Sequence, residues 1–490
     1  MGESNKDFIA AQGPSVFFLM APCRRLQFNL SDLYPVPRLG IGYLAAYLKA
    51  NGYKRVEVRD IIAEREWIPE LIARFHANGA PDLLGISITI LSLREAFEIA
   101  TAVKAEFPKT RIAVGGPGVG FTPEALLRYG KDVDFFVRGE GEEPILQLVR
   151  QIESSSPDWH AAPNTIWRDS DGTAVQNPPG RYRDLNDGIM VDYDSMPMDR
   201  YQLHPPMGIY PPSTMIETTR GCTFPCEFCC LSMPARYMTP ANVEALLRDL
   251  IERYGLREFH FIDPTFTLDR ERALEIMERI GKLNIHWSCK TRVDRFDEEI
   301  AAAAAKSGCY LVAFGVESGD DLILDAIKKK AAAGDALETF ERCRRYKIRT
   351  TAYLLVANPQ ETEQSIQRTI RYVRELKPDY VLYDILMADP INPLTRQKIK
   401  DGWITDDDLE RYYLSDKPSR LAEVTVSGHT MDEARIWLKQ SSSDFYVRPK
   451  YFYERIRDLR TLQDAVNLGA GGLTFAKDFF GIGRLWGFPG

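Results

Sequence analysis

The chain has 490 residues, 44% of them hydrophobic and 27% charged, a balance that suits a soluble globular protein of about three domains. Its 62 basic and 69 acidic side chains leave a net charge of −7, which argues against a general nucleic-acid binder because neutralising phosphates takes a basic surface. Eight cysteines are too few for a disulfide-built scaffold. The start, Met1–Gly13, is polar and the longest apolar run is Leu83–Leu93, so neither a signal peptide nor a membrane span is expected and a cytoplasmic, reducing setting follows.

The first third alternates strand and helix patterns. Strands are predicted at Ser15–Ala21, Val56–Ile61, Leu83–Ile90, Arg111–Gly115 and Val133–Val137. Helices are predicted at Gly40–Gly52, Pro69–Ala77, Leu93–Phe107 and Pro123–Tyr129. This alternation predicts an open, doubly wound parallel sheet over residues 1–153, which binds ligands at the carboxyl ends of its strands. Residues 154–212 are rich in proline and read as a linker carrying a β-ribbon, Thr165–Arg168 and Thr173–Gln176, turned at Asp171–Gly172.

Alternation resumes over residues 213–400. Strands are predicted near Ser213–Thr218, Glu258–Ile262, Ile285–Thr291, Tyr310–Val316, Thr350–Val356 and Tyr380–Leu386. The helices between them fall near Pro240–Tyr254, Arg270–Leu283, Glu298–Lys306, Leu322–Lys330, Ala336–Tyr346 and Glu363–Leu376. Six βα units predict a partial (β/α)6 barrel of the TIM type. Residues 401–490 read as mostly helical and aromatic-rich.

Four of the eight cysteines, Cys222, Cys226, Cys229 and Cys230, fall in the loop after the first barrel strand, ahead of a helix. In the pattern Cys222-x3-Cys226-x2-Cys229, three thiolates can hold three irons of a four-iron cube and leave the fourth open to a substrate. Zinc is the alternative, although it asks for a fourth ligand and this spacing is unusual for it.

Arg220-Gly-Cys-Thr-Phe-Pro-Cys-Glu-Phe-Cys229 resembles the signature of the radical S-adenosylmethionine (SAM) enzymes, with Phe228 at the family's aromatic position. The resemblance implies a four-iron four-sulfur cluster on Cys222, Cys226 and Cys229 that cleaves SAM to a 5′-deoxyadenosyl radical. It also implies SAM contacts from Phe228, from Asp263 in Phe261-Ile-Asp-Pro-Thr-Phe-Thr267, from Arg292 in Lys290-Thr-Arg-Val-Asp294, and from Glu317 and Ser318 in Gly315-Val-Glu-Ser-Gly319. Strand-end salt bridges are the alternative for Asp263 and Arg292. The fifth-strand text Val356-Ala-Asn-Pro-Gln-Glu-Thr362 departs from the family pattern. Cys230 matches no ligand position and reads as a buried bystander thiol. Cys23, Cys289, Cys309 and Cys343 are scattered, so a single cluster is expected.

Ahead of the barrel come Tyr34–Lys49, Gly85-Ile-Ser-Ile-Thr89, Gly115-Gly-Pro-Gly118 and Arg138-Gly-Glu-Gly-Glu142. In order they resemble the cobalamin-binding domain that precedes many radical SAM barrels. The resemblance implies cobalamin contacts from Leu39, Gly40, Tyr43, Ser87, Thr89, Gly115, Gly116, Pro117, Glu140 and Gly141. The Asp-x-His-x-x-Gly pattern that supplies a histidine to cobalt is missing, so His76 is not expected to be a ligand. Loop Cys23–Pro37 is a candidate for the lower face of cobalt.

The aromatic segments Asp444–Tyr453 and Phe475–Phe488 read as a helical core. The alternatives are a lid over a large apolar substrate or a weak membrane-surface contact. The former segment is similar to the subgroup that holds the anaerobic magnesium-protoporphyrin ester cyclase and hopanoid enzymes. Taken together, the resemblances imply a methylase acting on an unactivated carbon of a small-molecule or lipid-like substrate, fed by an external flavodoxin or ferredoxin. A radical cyclase or oxidase with the same cofactors is the alternative, and a cobalamin-binding sensor a third reading.

Overall fold

The computed structural model describes residues 13–22, 36–64, 67–201, 203, 207–231, 233–414 and 425–457, with isolated positions up to 469. Most of the expected lower-face loop, residues 23–35, and the segment Phe475–Phe488 lie outside the described residues. The chain divides into two compact units, Met1–Tyr201 with Ala388–Ala422, and Gln202–Met387 with Glu423–Gly490.

The first unit holds a seven-stranded sheet in the order β2-β1-β3-β4-β5-β6-β7. Its strands are β1 Val16–Met20, β2 Val56–Arg59, β3 Leu83–Ser87, β4 Arg111–Gly115, β5 Phe135–Val137, β6 Thr165–Arg168 and β7 Ala174–Gln176. The first five run parallel and β6 and β7 add an antiparallel edge. The proline-rich stretch is therefore not a free ribbon, because it extends this sheet through β5. Helices α1 Leu39–Ala50, α2 Ile68–Asn78, α3 Leu93–Glu106, α4 Pro123–Tyr129 and α5 Glu142–Glu153 alternate with the strands.

Packing explains the order. Phe18 on β1 pairs in register with Gly85 on β3, where an added Cβ would stand 2.5 Å from the Phe18 ring. Phe17 meets Phe75 of α2 edge-on at 5.1 Å. The strand order reverses between β1 and β3, the switch point at whose carboxyl ends such sheets bind ligands. Two later helices, α12 Pro393–Lys400 and α13 Asp406–Tyr413, return to this unit, with Tyr413 meeting Phe121 edge-on at 6.0 Å and Arg396 Nη2 donating to the Gly120 carbonyl at 2.6 Å.

The second unit holds a six-stranded, all-parallel sheet in which chain order is spatial order. Its strands are β8 Ser213–Ile216, β11 Glu258–Phe261, β12 His286–Arg292, β13 Cys309–Glu317, β14 Arg349–Val356 and β15 Tyr380–Ile385. The helices between them are α6 Pro240–Tyr254, α7 Arg270–Ile280, α8 Glu298–Lys306, α9 Asp321–Ala326, α10 Ala333–Arg345 and α11 Glu363–Leu376. This is the partial barrel expected from the sequence. Trp287, Phe259, Phe261, Phe266 and Phe314 are fully buried in its core. Helices α14 Met431–Tyr446 and α15 Pro449–Arg457 follow. Tyr446 closes the open edge, because its hydroxyl accepts from Val381 N–H at 3.0 Å and donates to the Val381 carbonyl at 2.5 Å.

One local expectation is corrected. The cysteine loop does not run straight into a helix. It is the bend of a short antiparallel hairpin, β9 Thr219–Cys222 against β10 Met233–Tyr237. The turn needs Gly221, whose φ is +84° and whose added Cβ would lie 2.5 Å from the Pro234 carbonyl.

Candidate functional site

The root of the cysteine loop is pinned by Asp263, which is fully buried at the end of β11. Thr218 donates to it through N–H and Oγ1, both at 2.6 Å, and Thr219 through N–H at 3.0 Å. Burial pushes the Asp263 carboxyl up, and Arg272 and the Thr218 donors act against that rise. Arg272 of α7 reaches under the same turn, donating through Nη2 to the Thr218 carbonyl at 2.9 Å and through Nε to the Met238 carbonyl at 2.8 Å. In this structure the oxygens of Asp263 face the loop root.

The loop brings its thiols together. Cys226 is buried, Cys222 and Cys229 are half-buried, and all are free. Burial pushes the Cys229 thiol up to about 11, and its neighbours Cys230, Cys226 and Cys222 add to the rise. Burial also raises Cys226, while Lys329 and Arg292 oppose it. Cys222 Sγ lies 3.8 Å from Thr265 Oγ1, and Leu231 N–H donates to Cys229 Sγ at 3.4 Å. The three thiols do not converge as ligands of a single ion would, and a four-iron cube does not ask them to, since each thiolate holds its own iron. The donor set therefore suits a cube. Cys230 is exposed rather than buried.

Arg292, at the end of β12, is buried beside this group. Its Nη1 faces Cys226 Sγ at 3.7 Å and its guanidinium lies over the Phe224 ring at 3.8 Å. Its fork engages Asp294, Nε to Oδ1 at 2.8 Å and Nη2 to Oδ2 at 3.2 Å, and Nη2 also donates to the Lys329 carbonyl at 2.8 Å. Glu317 ends β13 with φ +65° and pairs with Lys329 Nζ at 2.6 Å. Lys329 Nζ in turn lies 5.9 Å from the Phe228 ring. The fold thus gathers Cys226, Phe228, Arg292 and Glu317. Ser318 turns away to Thr369 of α11, 3.2 Å distant.

From sequence, no functional role falls to Lys329, Phe224, Thr218 or Arg272. Lys329 was hidden in the run Lys328–Lys330 after β13, where a solvated face is the ordinary expectation. A signal for Arg272 was its place one turn into a helix next to the second-strand motif.

In the first unit the expected cobalamin residues divide. Ser87, Thr89, Gly115, Gly116, Glu140 and Gly141 are partly exposed, and Gly40 and Pro117 are exposed. Apart from Gly40, at the start of α1, they cluster at the carboxyl ends of β3, β4 and β5. Leu39 and Tyr43 are buried in α1. Gly116 has φ +118°, and a Cβ there would sit 2.4 Å from the Ile88 carbonyl, so glycine lets the β3 and β4 strand-end loops close on each other. A rim of backbone and small hydroxyls fits a large, flat ligand. His76 is not on that rim. It ends α2 near the amino ends of the strands, with Nε2 3.5 Å from Glu106 Oε2.

Comparison with known proteins agrees with both readings. Residues 216–373 match the Radical SAM superfamily and residues 29–149 the B12 binding domain. The chain is 28% identical over 426 residues to an uncharacterized methyltransferase of Pyrococcus horikoshii, covering 86% of this chain and 90% of that one. It is 24% identical over 374 residues to the anaerobic magnesium-protoporphyrin IX monomethyl ester cyclase of Rubrivivax gelatinosus, covering 74% of this chain and 66% of the cyclase. Its fold resembles the radical SAM methyltransferase TsrM of Kitasatospora setae, with a TM-score of 0.66 and 19% identity over 79% of this chain and 75% of that one. Joining a B12-binding domain to a radical SAM domain, the chain belongs to the cobalamin-binding radical SAM enzymes, whose cofactors are a four-iron four-sulfur cluster, SAM and cobalamin.

Proposed function

We propose that the chain is a methyltransferase acting on an unactivated carbon of a small-molecule or lipid-like substrate. The observation that carries this reading is the similarity to the Pyrococcus methyltransferase across most of both chains, with both cofactor domains present. In this reading Cys222, Cys226 and Cys229 hold the cluster, Phe228, Arg292 and Glu317 are the proposed surroundings of SAM, and Asp263 and Ser318 support them from behind through Thr218 and Thr369. The rim from Ser87 to Gly141, with Leu39, Gly40 and Tyr43, is the proposed cobalamin bed. When bound, the cluster supplies the electron that cleaves SAM and cobalamin supplies the methyl carrier.

The chain's own residues do the positioning. Asp263 and Arg272 fix the root of the cysteine loop. Arg292 sets a buried positive charge against Cys226, which favours the thiolate that binds metal. Burial of Cys226 keeps water from the inner side of the loop. An external flavodoxin or ferredoxin and a cytoplasmic setting belong to this reading; no described helix is long and apolar enough to cross a membrane. A weak membrane-surface contact would fall to α15, where Tyr453 and Ile456 are exposed.

Ring formation or oxidation without methyl transfer is the second reading, favoured by the similarity to the cyclase. The two part on products after anaerobic reconstitution with iron, sulfide, hydroxocobalamin and SAM. S-adenosylhomocysteine and 5′-deoxyadenosine formed together with substrate support methylation. 5′-Deoxyadenosine alone supports the second reading, and neither product from any candidate substrate overturns both.

A further inference from the structure

The second unit carries a basic cavity of about 450 Å³ at the amino ends of β14 and β15. Among the described residues, nine of its lining side chains are lysine or arginine and two, Asp379 and Glu454, are acidic, in a chain whose net charge is −7. Asp379 is engaged with Arg455 at 3.0 Å, and Glu454 stands 3.9 Å from Lys450. Two carboxylates outside the lining, Glu341 and Asp444, pair with Arg344 and Arg374. Even with these counted, cations exceed carboxylates by nine to four among the described residues.

Helix dipoles account for part of this excess, since Arg344, Arg374 and Arg455 sit in last turns. They do not account for Arg349, which is buried and opens a strand, nor for Lys450, whose first-turn position the dipole disfavours. Arg455 is held over the Tyr380 and Tyr451 rings, 5.6 Å from each, so the cavity floor is preorganised. The volume lies in the range of small-ligand sites, and arginine forks suit phosphate oxygens.

We propose that this cavity binds the phosphate groups of a small phosphorylated ligand, at a site separate from the cysteine loop. All six strands run parallel, so the loop at their carboxyl ends and the cavity at their amino ends are separated by at least the length of β14, on the order of 25 Å at about 3.3 Å per residue. The phosphate comes from a free metabolite or from a lipid headgroup.

The test titrates the purified full chain with inorganic pyrophosphate by calorimetry, beside the variant Lys347→Glu/Lys377→Glu, whose positions are exposed. The expected result is saturable binding that the variant weakens at least tenfold, with SAM cleavage unchanged. Flotation with phosphatidylglycerol against phosphatidylcholine vesicles separates the sources: flotation with phosphatidylglycerol alone, lost in the variant, assigns the headgroup. Should the double variant melt early, Lys450→Glu on the exposed rim reads the same loss. Absence of both pyrophosphate binding and phosphatidylglycerol-selective flotation overturns the proposal, and so does binding that the charge reversals leave unchanged.

Discussion

Lys329 Nζ and Glu317 Oε1 meet at 2.6 Å in a pair whose side chains are 6% and 8% exposed. The pair ties the turn after α9 to the end of β13, over Gly315, where an added Cβ would come within 2.5 Å of Glu317 Oε1 and 2.7 Å of Lys329 Nζ. Two charges so far from water hold only as a pair.

Replacing Lys329 with methionine leaves a buried carboxylate without its cation, a change that costs about 3–5 kcal/mol. The Lys329→Met chain is expected to melt at markedly lower temperature, and Lys329→Met/Glu317→Gln to recover most of the loss. Equal melting of the single and double variants would show that the pair is not what holds this turn.

Arg292→Lys keeps the charge but loses the planar fork to Asp294 and the stack on Phe224. The cluster is expected to assemble with unchanged iron content, while 5′-deoxyadenosine yield falls at least tenfold. Unchanged yield removes Arg292 from the proposed SAM surroundings.

Glu361, in the loop after β14, has its carboxyl pushed up to about 7 by burial, against the donation from Asn358 N–H. The unfolded carboxyl releases its proton near 4.5 and the folded one near 7, so between those values the native state holds the extra proton. The group's contribution to stability is therefore full below about 4.5 and is lost as pH rises to about 7, with a slope of at most about 1.4 kcal/mol per pH unit. Melting temperatures of the wild type and Glu361→Gln, taken from pH 5 to pH 8, are expected to show this decline in the wild type and a flatter profile in the variant.

The sheets were legible because buried parallel strands are short apolar runs between helices with clear caps. β4, β6, α4, α6, α8 and α11 fall on their expected bounds. Helix α5 was missed because Arg138–Glu142 drew attention as a ligand motif, although Pro144 is tolerated in a first turn. The hairpin β9–β10 carries Gly221 and Pro234 in place of alternating β-branched residues, so local pattern hides it. The three cysteines stand out by their spacing, and their proposed role as cluster ligands rests on the family signature around them. The Lys329–Glu317 pair, the Arg272 brace and the return of residues 388–422 to the first unit depend on long-range packing that no local window encodes.

The most direct test of the account is Cys226→Ala, reconstituted anaerobically and measured by absorbance, cobalamin content and SAM cleavage. The account predicts loss of the broad iron–sulfur absorbance and of 5′-deoxyadenosine formation, with cobalamin retained by the first unit. Full SAM cleavage in this variant would contradict it.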